Sequence, residues 1–429
     1  MNEKETFLNT IQSSIRSKEA KQFVSLELNY HIDETVKGLI EEGSTREEAE
    51  KQAIKQMGDP IKLGIKLNKL HRPKIDWSLL ALFVVTIGIG FLPLMILPDA
   101  IPDGPIQYTG KIKIATGIFG TALMIAMMLF DYRHLKKYCY FFYGLGVMLL
   151  LAIILSHTQI NGAIILILGG GIRITSIITL PLFLLAWAGF LQKKAMNLWV
   201  LAGLFLLPFV LLVAISDITG IMIFTSFMAV MFLWKMKTNR KIMITSITAV
   251  VLLAASSILF VLLVGLPYQK QRLIEFLRAE QEGSIYWQLK RMIEEAGWFG
   301  QYMTNRDFSI PYTHTGMITD MVFTTLTYGF GWLFSITLTI VLAAFSVRMA
   351  WMTKKIRDPY GQLLIIGGLT FYTVPFVYNV LMSIGFLPFL DFSLPFISYG
   401  IMPTLLHAFV IGIILSVYRR KDLVLSRSI

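Results

Sequence analysis

The sequence predicts an all-α polytopic membrane bundle of about ten transmembrane helices, preceded by a small helical domain. Two observations on composition support this fold class. The mean hydropathy is +0.64, and 55% of the 429 residues are hydrophobic whereas only 15% are charged. The third observation is that apolar segments follow one another from Trp77 almost to the C-terminus. Such a pattern is typical of chains that lie mostly in lipid.

Residues 1–72 are the polar part of the chain and are predicted to be helical. They carry 12 Lys/Arg and 12 Asp/Glu, and their apolar residues recur at helical spacing. Ser44 and Glu47 have the spacing of a capping box, which predicts a helix that begins there and ends before Pro60. The stretch EEGSTREEAEKQAIKQMGDP resembles the HAAS, or permease-prefix, domain of Gram-positive membrane proteins. We therefore expect a cytoplasmic HAAS-like domain that either binds a partner or serves only as an anchor.

The apolar segments after this domain are each long enough to cross a hydrocarbon layer of roughly 30 Å, which takes about 20 helical residues. Ten such segments are predicted, with limits at 77–97, 112–130, 138–156, 174–191, 197–214, 218–234, 242–266, 321–347, 361–385 and 396–418. Together they define a membrane domain over 77–420.

The charges between the segments predict how the chain crosses the membrane. The five connections after even-numbered segments hold 17 Lys/Arg, whereas the short connections on the other side hold only Lys111, Lys113 and Arg173. Since basic residues stay on the cytoplasmic side, both termini are predicted to be cytoplasmic. The net charge of +12 therefore reflects topology, and we expect membrane lipids but no nucleic acid as partners.

One connection, 267–320, is predicted to lie outside the cell and to carry function. At over fifty residues it exceeds the usual length of a structureless loop. The chain has no P-loop, HExxH, CxxC or nucleophile-elbow pattern, which argues against nucleotide-driven transport and zinc chemistry. Its single cysteine, Cys139, is predicted to pack among apolar neighbours, and the tract LGGGI at 168–172 to form a turn or a close helix approach.

Three stretches along the membrane domain carry a family resemblance. The segment NVLMSIGFLPFLDFSLPFISYG at 379–400 is similar to the pattern N-x(5)-G-x-L-P-x(5)-L-P-[FL]-I-S-Y-G at unbroken spacing. ISDITG at 215–220 resembles QPDLGT, and PYTHTGMITDMVF at 311–323 resembles PExHTDFIF with four inserted residues. These patterns are those of the SEDS family (shape, elongation, division and sporulation), which includes FtsW, RodA and SpoVE. The resemblance covers about 77–420 and implies a ten-helix bundle with both ends inside.

The resemblance also implies an activity and a set of site residues. It implies a peptidoglycan glycosyltransferase that polymerises lipid II, the undecaprenyl-pyrophosphate-linked precursor, in cell division, cell shape or sporulation, together with a class B penicillin-binding protein transpeptidase. The family's essential aspartate corresponds to Asp320, the predicted catalytic acid/base. A base is needed to take the proton of the acceptor hydroxyl while a pyrophosphate leaves. No cofactor is expected, except that a divalent cation at the pyrophosphate remains open.

Further residues are predicted to bind substrate, and each has a structural alternative. The basic residues on the outer side are candidates for neutralising the pyrophosphate, and they are Arg173, Lys270, Arg272, Lys290, Arg291 and Arg306. The candidates within the motifs are Asp217, His314, Asn379, Ser398 and Tyr399, with Asp391 as a second outer carboxylate. A solvated histidine, a helix cap, an interhelical hydrogen bond or a turn residue would explain these side chains structurally. For Asp320 the structural alternative is a helix cap.

The sequence departs from the family pattern at several polar positions. The family's NGARRWI is here Asn161-Gly162-Ala163 followed by Ile164 to Ile167, so a basic pair and a tryptophan are missing. Two other readings therefore stay open beside the polymerase. One is a catalytically inactive SEDS-like scaffold or regulator of cell-wall synthesis. The other is a lipid-linked precursor transporter, which would need a polar pathway through spans that are unusually apolar.

Overall fold

The computed structural model describes residues 3–71, 73–96, 106–156, 158–160, 163–168, 172–193, 197–236, 274–277, 284–301 and 315–423. The chain divides into two compact units, one comprising Met1–Asp76 with Tyr418–Ile429 and the other Trp77–Val417. The predicted loop residues Lys270, Arg272, Arg306 and His314, and the predicted span 242–266, lie outside the described residues.

The first unit contains four helices around one apolar core. They are α1 (Glu3–Ser13), α2 (Lys18–Glu41), α3 (Arg46–Met57) and α4 (Pro60–His71). Phe7, Ile11 and Ile32 are among the buried core residues, and Leu423 from the C-terminal end of the chain packs into the same core. The C-terminal end is also held by an ion pair of 2.8 Å between Lys74 Nζ and Asp422 Oδ2. The sequence did not predict this contribution of the C-terminus.

The capping box of the first unit lies one residue later than predicted. Thr45, not Ser44, is the N-cap of α3, and the Glu48 carboxylate accepts hydrogen bonds from the Thr45 N–H (3.3 Å) and hydroxyl (2.7 Å). Ser44 is still part of the preceding turn, because its N–H donates to Leu39 O at 3.0 Å. The prediction that Glu47 closes the box was therefore wrong.

The second unit is a bundle of helices, and its class confirms the predicted all-α membrane fold. Its helices are α5 (Trp77–Ile89), α6 (Leu92–Ile96), α7 (Ile106–Leu129), α8 (Cys139–Leu155), α9 (Leu180–Phe190), α10 (Leu198–Ile215), α11 (Ile218–Met236), α12 (Ile285–Glu295), α13 (Val322–Thr353), α14 (Pro359–Ser383) and α15 (Ile401–Arg419). Eight described segments are long and apolar enough to span a membrane. The protein is thus a multi-pass membrane protein.

Two helices form the centre of this bundle. In the 18-residue apolar stretch of α14 and in that of α15, 72% of the residues are buried. In the other spans the share of buried residues is 22–39%. Spans with such open outer faces fit contact with lipid, whereas α14 packs against α9, α11 and α13. The motif residues at the end of α14 are therefore attached to the most enclosed helix.

Two spans differ from the predicted limits. The segment predicted at 174–191 is shorter, because a 3₁₀ turn at Ser176–Thr179 precedes the α-helix, which has Pro181 in its first turn. The last helix begins at Ile401 rather than near 396. The intervening residues form a turn in which Phe396 has a left-handed φ of 64°, so they cannot belong to the helix.

The predicted span 321–347 is present in α13 but is broken at Gly331, where φ is 84° and ψ is 175°. Only glycine adopts this conformation readily. The amides that follow the break donate to the segment after α12: Trp332 N–H reaches Gly297 O at 3.0 Å, and Leu333 N–H reaches Trp298 O at 3.2 Å. The loop around α12 therefore supports the short first part of α13, which follows Asp320.

A small antiparallel sheet lies in the connection between α8 and α9. Its strands are β1 (Thr158–Ile160), β2 (Ala163–Leu168) and β3 (Ile172–Ile174), in the order β1-β2-β3. Leu168 pairs with Ile172, so the two strands adjoin on either side of the glycine tract predicted to turn. The β-branched isoleucines of β2 favour the extended conformation.

Candidate functional site

The motif segment 379–400 lies directly against the residues that lead into α13. Three successive main-chain carbonyl oxygens there accept one hydrogen bond each from the motif. The bonds run from Tyr399 N–H to Ile318 O (2.6 Å), from Ser398 Oγ to Thr319 O (2.6 Å) and from Asn379 Nδ2 to Asp320 O (2.8 Å). The structure thus brings together four of the predicted site residues, Asp320, Asn379, Ser398 and Tyr399, although they are up to 79 positions apart in sequence (399 − 320).

Asp320 is half-buried at the end of this contact. It follows a 3₁₀ turn at Thr315–Ile318, and the Thr319 hydroxyl lies 3.3 Å from its Oδ2. Met321, not Asp320, occupies the N-cap position of α13, and no side-chain cap is formed at that position. The simple helix-cap alternative for Asp320 therefore loses support, because the residue lies one position outside the cap.

Asn379 and Ser398 are buried and act inside the protein. Asn379 is fully buried, and its amide also donates to Phe392 O at 2.5 Å. Ser398 is 2% exposed, and its hydroxyl accepts the Leu394 N–H at 2.7 Å in addition to donating to Thr319 O. Because the Asn379 side-chain N–H groups and the Ser398 hydroxyl bind the main chain inside the protein, both residues can position Asp320 without contacting substrate.

Asp217 lies between α10 and α11 and is held by its side chain. Its Oδ1 accepts the Gly220 N–H at 2.9 Å, which is the pattern of a helix N-cap, and its Oδ2 accepts a hydrogen bond from Ser176 Oγ. Burial raises the pKa of Asp217, the charge of Asp391 raises it further, and the two hydrogen bonds act in the opposite direction. Through these two hydrogen bonds the Asp217 carboxylate links the start of α11 to the turn that precedes α9.

Asp391 is exposed beside a small cavity of about 20 Å³. The cavity is lined by Thr219, Pro375, Ser393 and His407, among others. It has room for about one water molecule and not for a sugar or a pyrophosphate. Asp391 is close enough to Asp217 for its charge to raise the pKa of that residue.

The basic candidates that the structure describes are exposed. Arg173 lies on β3. Arg291 on α12 forms an ion pair with Glu295 at 2.6 Å and lies over the Trp287 ring, 5.3 Å from its centroid. Lys290 on the same helix is also exposed. Within the described part of the chain, no group of three or more His, Cys, Asp or Glu side chains is arranged to hold a metal ion.

Three residues that contribute to the site were missed or misplaced by the sequence analysis. Lys113, counted above in an outer connection, lies inside α7, is 4% exposed and binds the motif turn. Tyr286 on α12 accepts the Phe389 N–H at 2.7 Å, and Ser176 binds Asp217. Of these three residues, only Lys113 had a signal in the sequence, because a lysine within an apolar segment indicates a specific partner.

Comparisons with known proteins agree in family and in fold. A family model described as "Cell cycle protein", for FtsW, RodA and SpoVE, matches residues 78–423. A protein of Saccharophagus degradans named "Probable peptidoglycan glycosyltransferase FtsW" is 28% identical over 227 residues, which are 50% of this chain and 53% of that protein. A protein of the same name from Trichlorobacter lovleyi is 28% identical over 36% of this chain and 42% of its own length. The chain thus spans about half, or less, of the length of these relatives.

Solved structures share the architecture. The crystal structure of the Thermus thermophilus rod shape determining protein RodA matches with a TM-score of 0.57 at 20% identity, covering 81% of this chain and 97% of that one. A chain from the structure described as "Structural coordination of polymerization and crosslinking by a peptidoglycan synthase complex" matches with a TM-score of 0.66 at 21% identity, covering 81% and 98%. At these identities the likeness shows the fold alone.

Proposed function

The chain belongs to the FtsW/RodA/SpoVE family of cell cycle proteins, and from that premise we propose that it is a peptidoglycan glycosyltransferase that polymerises lipid II. Asp320 is the proposed catalytic base. The observation that carries this proposal is the way in which its main chain is fixed: the carbonyls of Ile318, Thr319 and Asp320 all accept bonds from the motif segment. A reacting group has to be held in place to be effective, and these hydrogen bonds hold the main chain that carries the Asp320 carboxylate.

The proposed chemistry is the transfer of a glycan from a lipid pyrophosphate to a sugar hydroxyl. The acceptor hydroxyl oxygen forms a bond to the anomeric carbon of the donor as the bond from that carbon to the pyrophosphate oxygen breaks. Asp320 takes the hydroxyl proton, and the lipid pyrophosphate leaves with the electron pair of the broken bond. A positioned base of this kind typically contributes about 10²–10⁴-fold to a rate.

The departing pyrophosphate needs positive charge near it. Arg173 on β3 and Arg291 on α12 are exposed in the structure and are proposed for this role, as are Lys270 and Arg272 from outside the described residues. His314 remains a proposal for a substrate contact, whereas for Asp217 a structural role is proposed instead, because both of its carboxylate oxygens accept hydrogen bonds within the protein.

The site is proposed to face outward, with both termini in the cytoplasm, because of the bias in basic residues between the two sets of connections: one set holds 17, whereas the other holds only Lys111 and Arg173 once the buried Lys113 is left out. Cysteine replacements at exposed positions test this orientation. We expect Lys290→Cys to react with an impermeant thiol reagent added to intact cells, and Lys51→Cys to react only after lysis. The native Cys139 is buried and gives a low background. The reverse labelling pattern would place the site on the cytoplasmic side.

A class B penicillin-binding protein is the proposed partner, since the structurally similar chain comes from a complex described as coordinating polymerisation and crosslinking. A catalytically inactive scaffold is the second candidate. It is favoured by β2, where the family's basic pair is replaced by the apolar run Ala163–Leu168.

The experiment that separates these candidates uses purified protein and labelled lipid II, with and without a co-purified transpeptidase. The polymerase proposal predicts glycan strands that need the intact carboxylate of Asp320. If the parent protein forms no glycan under either condition while a family polymerase does so in parallel, the scaffold reading replaces it.

A further inference from the structure

Lys113 is a basic residue buried inside a membrane helix. It lies in the apolar span Gly110–Leu129 of α7 and is 4% exposed. An ionisable residue in such a place is costly, and it is retained where its charge is used. The hydrogen bonds described for its ammonium all end on main-chain carbonyl oxygens, those of Phe396 (3.1 Å), Ile397 (2.9 Å) and Ser398 (2.9 Å).

The three carbonyls belong to a tight turn whose backbone is unusual. Phe396 has a left-handed φ of 64°, which a non-glycine residue adopts only when the surroundings hold it there. The N–H groups of Ile397 and Ser398 both donate to Leu394 O, at 3.2 and 3.0 Å. The turn therefore directs three successive carbonyls toward one point, and the ammonium with its three N–H donors occupies that point.

The space around the ammonium is shaped by Gly90, which follows α5. A Cβ at this position would lie 2.8 Å from Phe396 O and 3.1 Å from Lys113 Nζ. Any larger residue would have to displace the turn or the lysine. Gly88, two residues earlier, has nothing within 4 Å of the corresponding position.

The same turn holds the main chain before Asp320. Ser398, whose carbonyl binds Lys113, donates its hydroxyl to Thr319 O, and the next residue, Tyr399, donates its N–H to Ile318 O. Hydrogen bonds thus link the ammonium on α7, through Ser398 and Tyr399, to the carbonyls of Ile318 and Thr319, the two residues that precede Asp320. Each step of the path is 3.1 Å or shorter.

We propose that Lys113 is a positioning residue for the reaction assigned to Asp320. Its ammonium fixes the 396–398 turn, and the turn fixes the main chain that presents the carboxylate. The inference rests on the proposed function for its catalytic part, whereas the structural coupling can be measured without any catalysis.

The test compares Lys113→Met with Lys111→Met, an exposed lysine on the same helix, by hydrogen–deuterium exchange of the full chain in detergent or nanodiscs. We expect exchange to be at least about tenfold faster in peptides covering 315–321 and 394–400 for Lys113→Met, as about 1.4 kcal/mol of lost protection would give. Peptides from the middle of α14 and all peptides of Lys111→Met should exchange as in the parent. Equal exchange in the parent and Lys113→Met overturns the proposal.

The kinetic arm measures initial rates on lipid II. We expect kcat of Lys113→Met to fall by about 10²-fold, since a displacement of about 1 Å at a reacting group has an effect of that size. KM should stay within about twofold, because a buried lysine contacts no substrate. Faster exchange with an unchanged kcat, or a KM effect alone, would overturn the positioning role. If the parent forms no glycan, the proposed function fails, and the exchange arm alone decides whether Lys113 holds the Asp320 segment.

Gly90→Ala keeps the inference testable if Lys113→Met does not accumulate. It leaves every charge in place and forces a methyl group against Phe396 O. We expect faster exchange in the same two segments and a kcat loss smaller than that of Lys113→Met, whereas Gly88→Ala should match the parent. Parental exchange and kcat in Gly90→Ala would contradict the proposed path.

Discussion

Asp217 and Asp320 both precede membrane helices, yet the structure holds them in different ways. Asp217 is bound through its carboxylate, which accepts hydrogen bonds from Gly220 N–H and Ser176 Oγ. Asp320 is bound through its main chain, whose carbonyl accepts from Asn379, while the carbonyls of the two preceding residues accept from Ser398 and Tyr399. Asp217 thus serves as a structural cap, whereas the segment that contains Asp320 is held by hydrogen bonds to its main-chain carbonyls.

The difference shows that some motif residues hold the main chain in place, whereas Asp320 is left to carry out the proposed reaction. Asn379 and Ser398 are buried and use their polar groups on the main chain of neighbouring segments. Hydrogen bonds to the main chain stay in place when the Asp320 carboxylate takes a proton, whereas a carboxylate that caps a helix would have to give up its hydrogen bonds to accept one.

Asp320→Glu gives the largest of the expected effects that sharpen this comparison. The substitution keeps a carboxylate but extends it by one methylene, which moves the oxygens by about 1 Å or more. We expect the rate of glycan formation to fall by about 10²-fold, because a base must reach the acceptor hydroxyl at hydrogen-bonding distance. Initial rates on labelled lipid II, at equal amounts of folded protein, measure this. A glutamate variant as active as the parent would show that the exact position of the carboxylate does not matter.

Asn379→Leu should have a smaller effect on the same segment. The substitution leaves the carbonyls of Asp320 and Phe392 without their donor, at a cost of about 1–3 kcal/mol for a buried group. We expect about a tenfold lower rate and a lower melting temperature. Ser383→Ala on the same helix is the matched control, because the buried Ser383 hydroxyl makes no hydrogen bond within the described structure. Equal losses in both variants would point to general destabilisation of α14.

Asp217→Asn should change stability with pH rather than catalysis. Burial raises the pKa of Asp217 above its ordinary value of 3.8, so the folded protein binds this proton more tightly than the unfolded chain does. The contribution of Asp217 to stability is therefore largest at low pH and falls as pH rises through the window between the two pKa values. Asparagine still caps the helix. We expect the melting temperature of the variant, relative to the parent, to increase across this window and then level off; a flat or falling difference would contradict the assignment.

Glu48→Gln is expected to show the opposite pH dependence and the smallest effect. Hydrogen bonds from Thr45 lower the pKa of this exposed carboxyl, so its contribution to stability is present at neutral pH and is lost as pH falls through the folded pKa. Exchange of the α3 amides should be slightly faster in Glu48→Gln than in the parent at neutral pH. Glu47→Gln serves as the control, and a larger effect in the control would restore the box at Ser44 and Glu47.

Hydropathy predicted most spans to within a few residues, because the length of an apolar run is a local property. It did not predict the break at Gly331, because the groups that satisfy the freed amides are the carbonyls of Gly297 and Trp298 in another segment. The start of the last helix was misplaced for a similar reason. An apolar residue such as Phe396 looks helical in sequence, whereas its left-handed backbone is held by contacts with α7.

The residues of the candidate site that belong to the motifs were predictable from the sequence, whereas those outside the motifs were not. Asp320, Asn379, Ser398 and Tyr399 were predicted from their motifs, and the structure places them together. Lys113 was placed in a connection because a charge count treats every lysine near a span end alike. Its three acceptors lie 283 to 285 residues away in the sequence, and no local pattern reports such a contact.

The most direct test of the account is to assay Asp320→Asn beside Asp217→Asn for glycan formation from lipid II. Asparagine has nearly the shape of aspartate and caps a helix as well, but it cannot take a proton. We predict that Asp320→Asn lowers the rate by about 10²–10⁴-fold while the protein accumulates and melts like the parent. Asp217→Asn should stay within about threefold of the parent, since its cap is preserved. An Asp320→Asn variant at the parent rate, or a loss in Asp217→Asn as large as that in Asp320→Asn, would contradict the division of roles between the two aspartates.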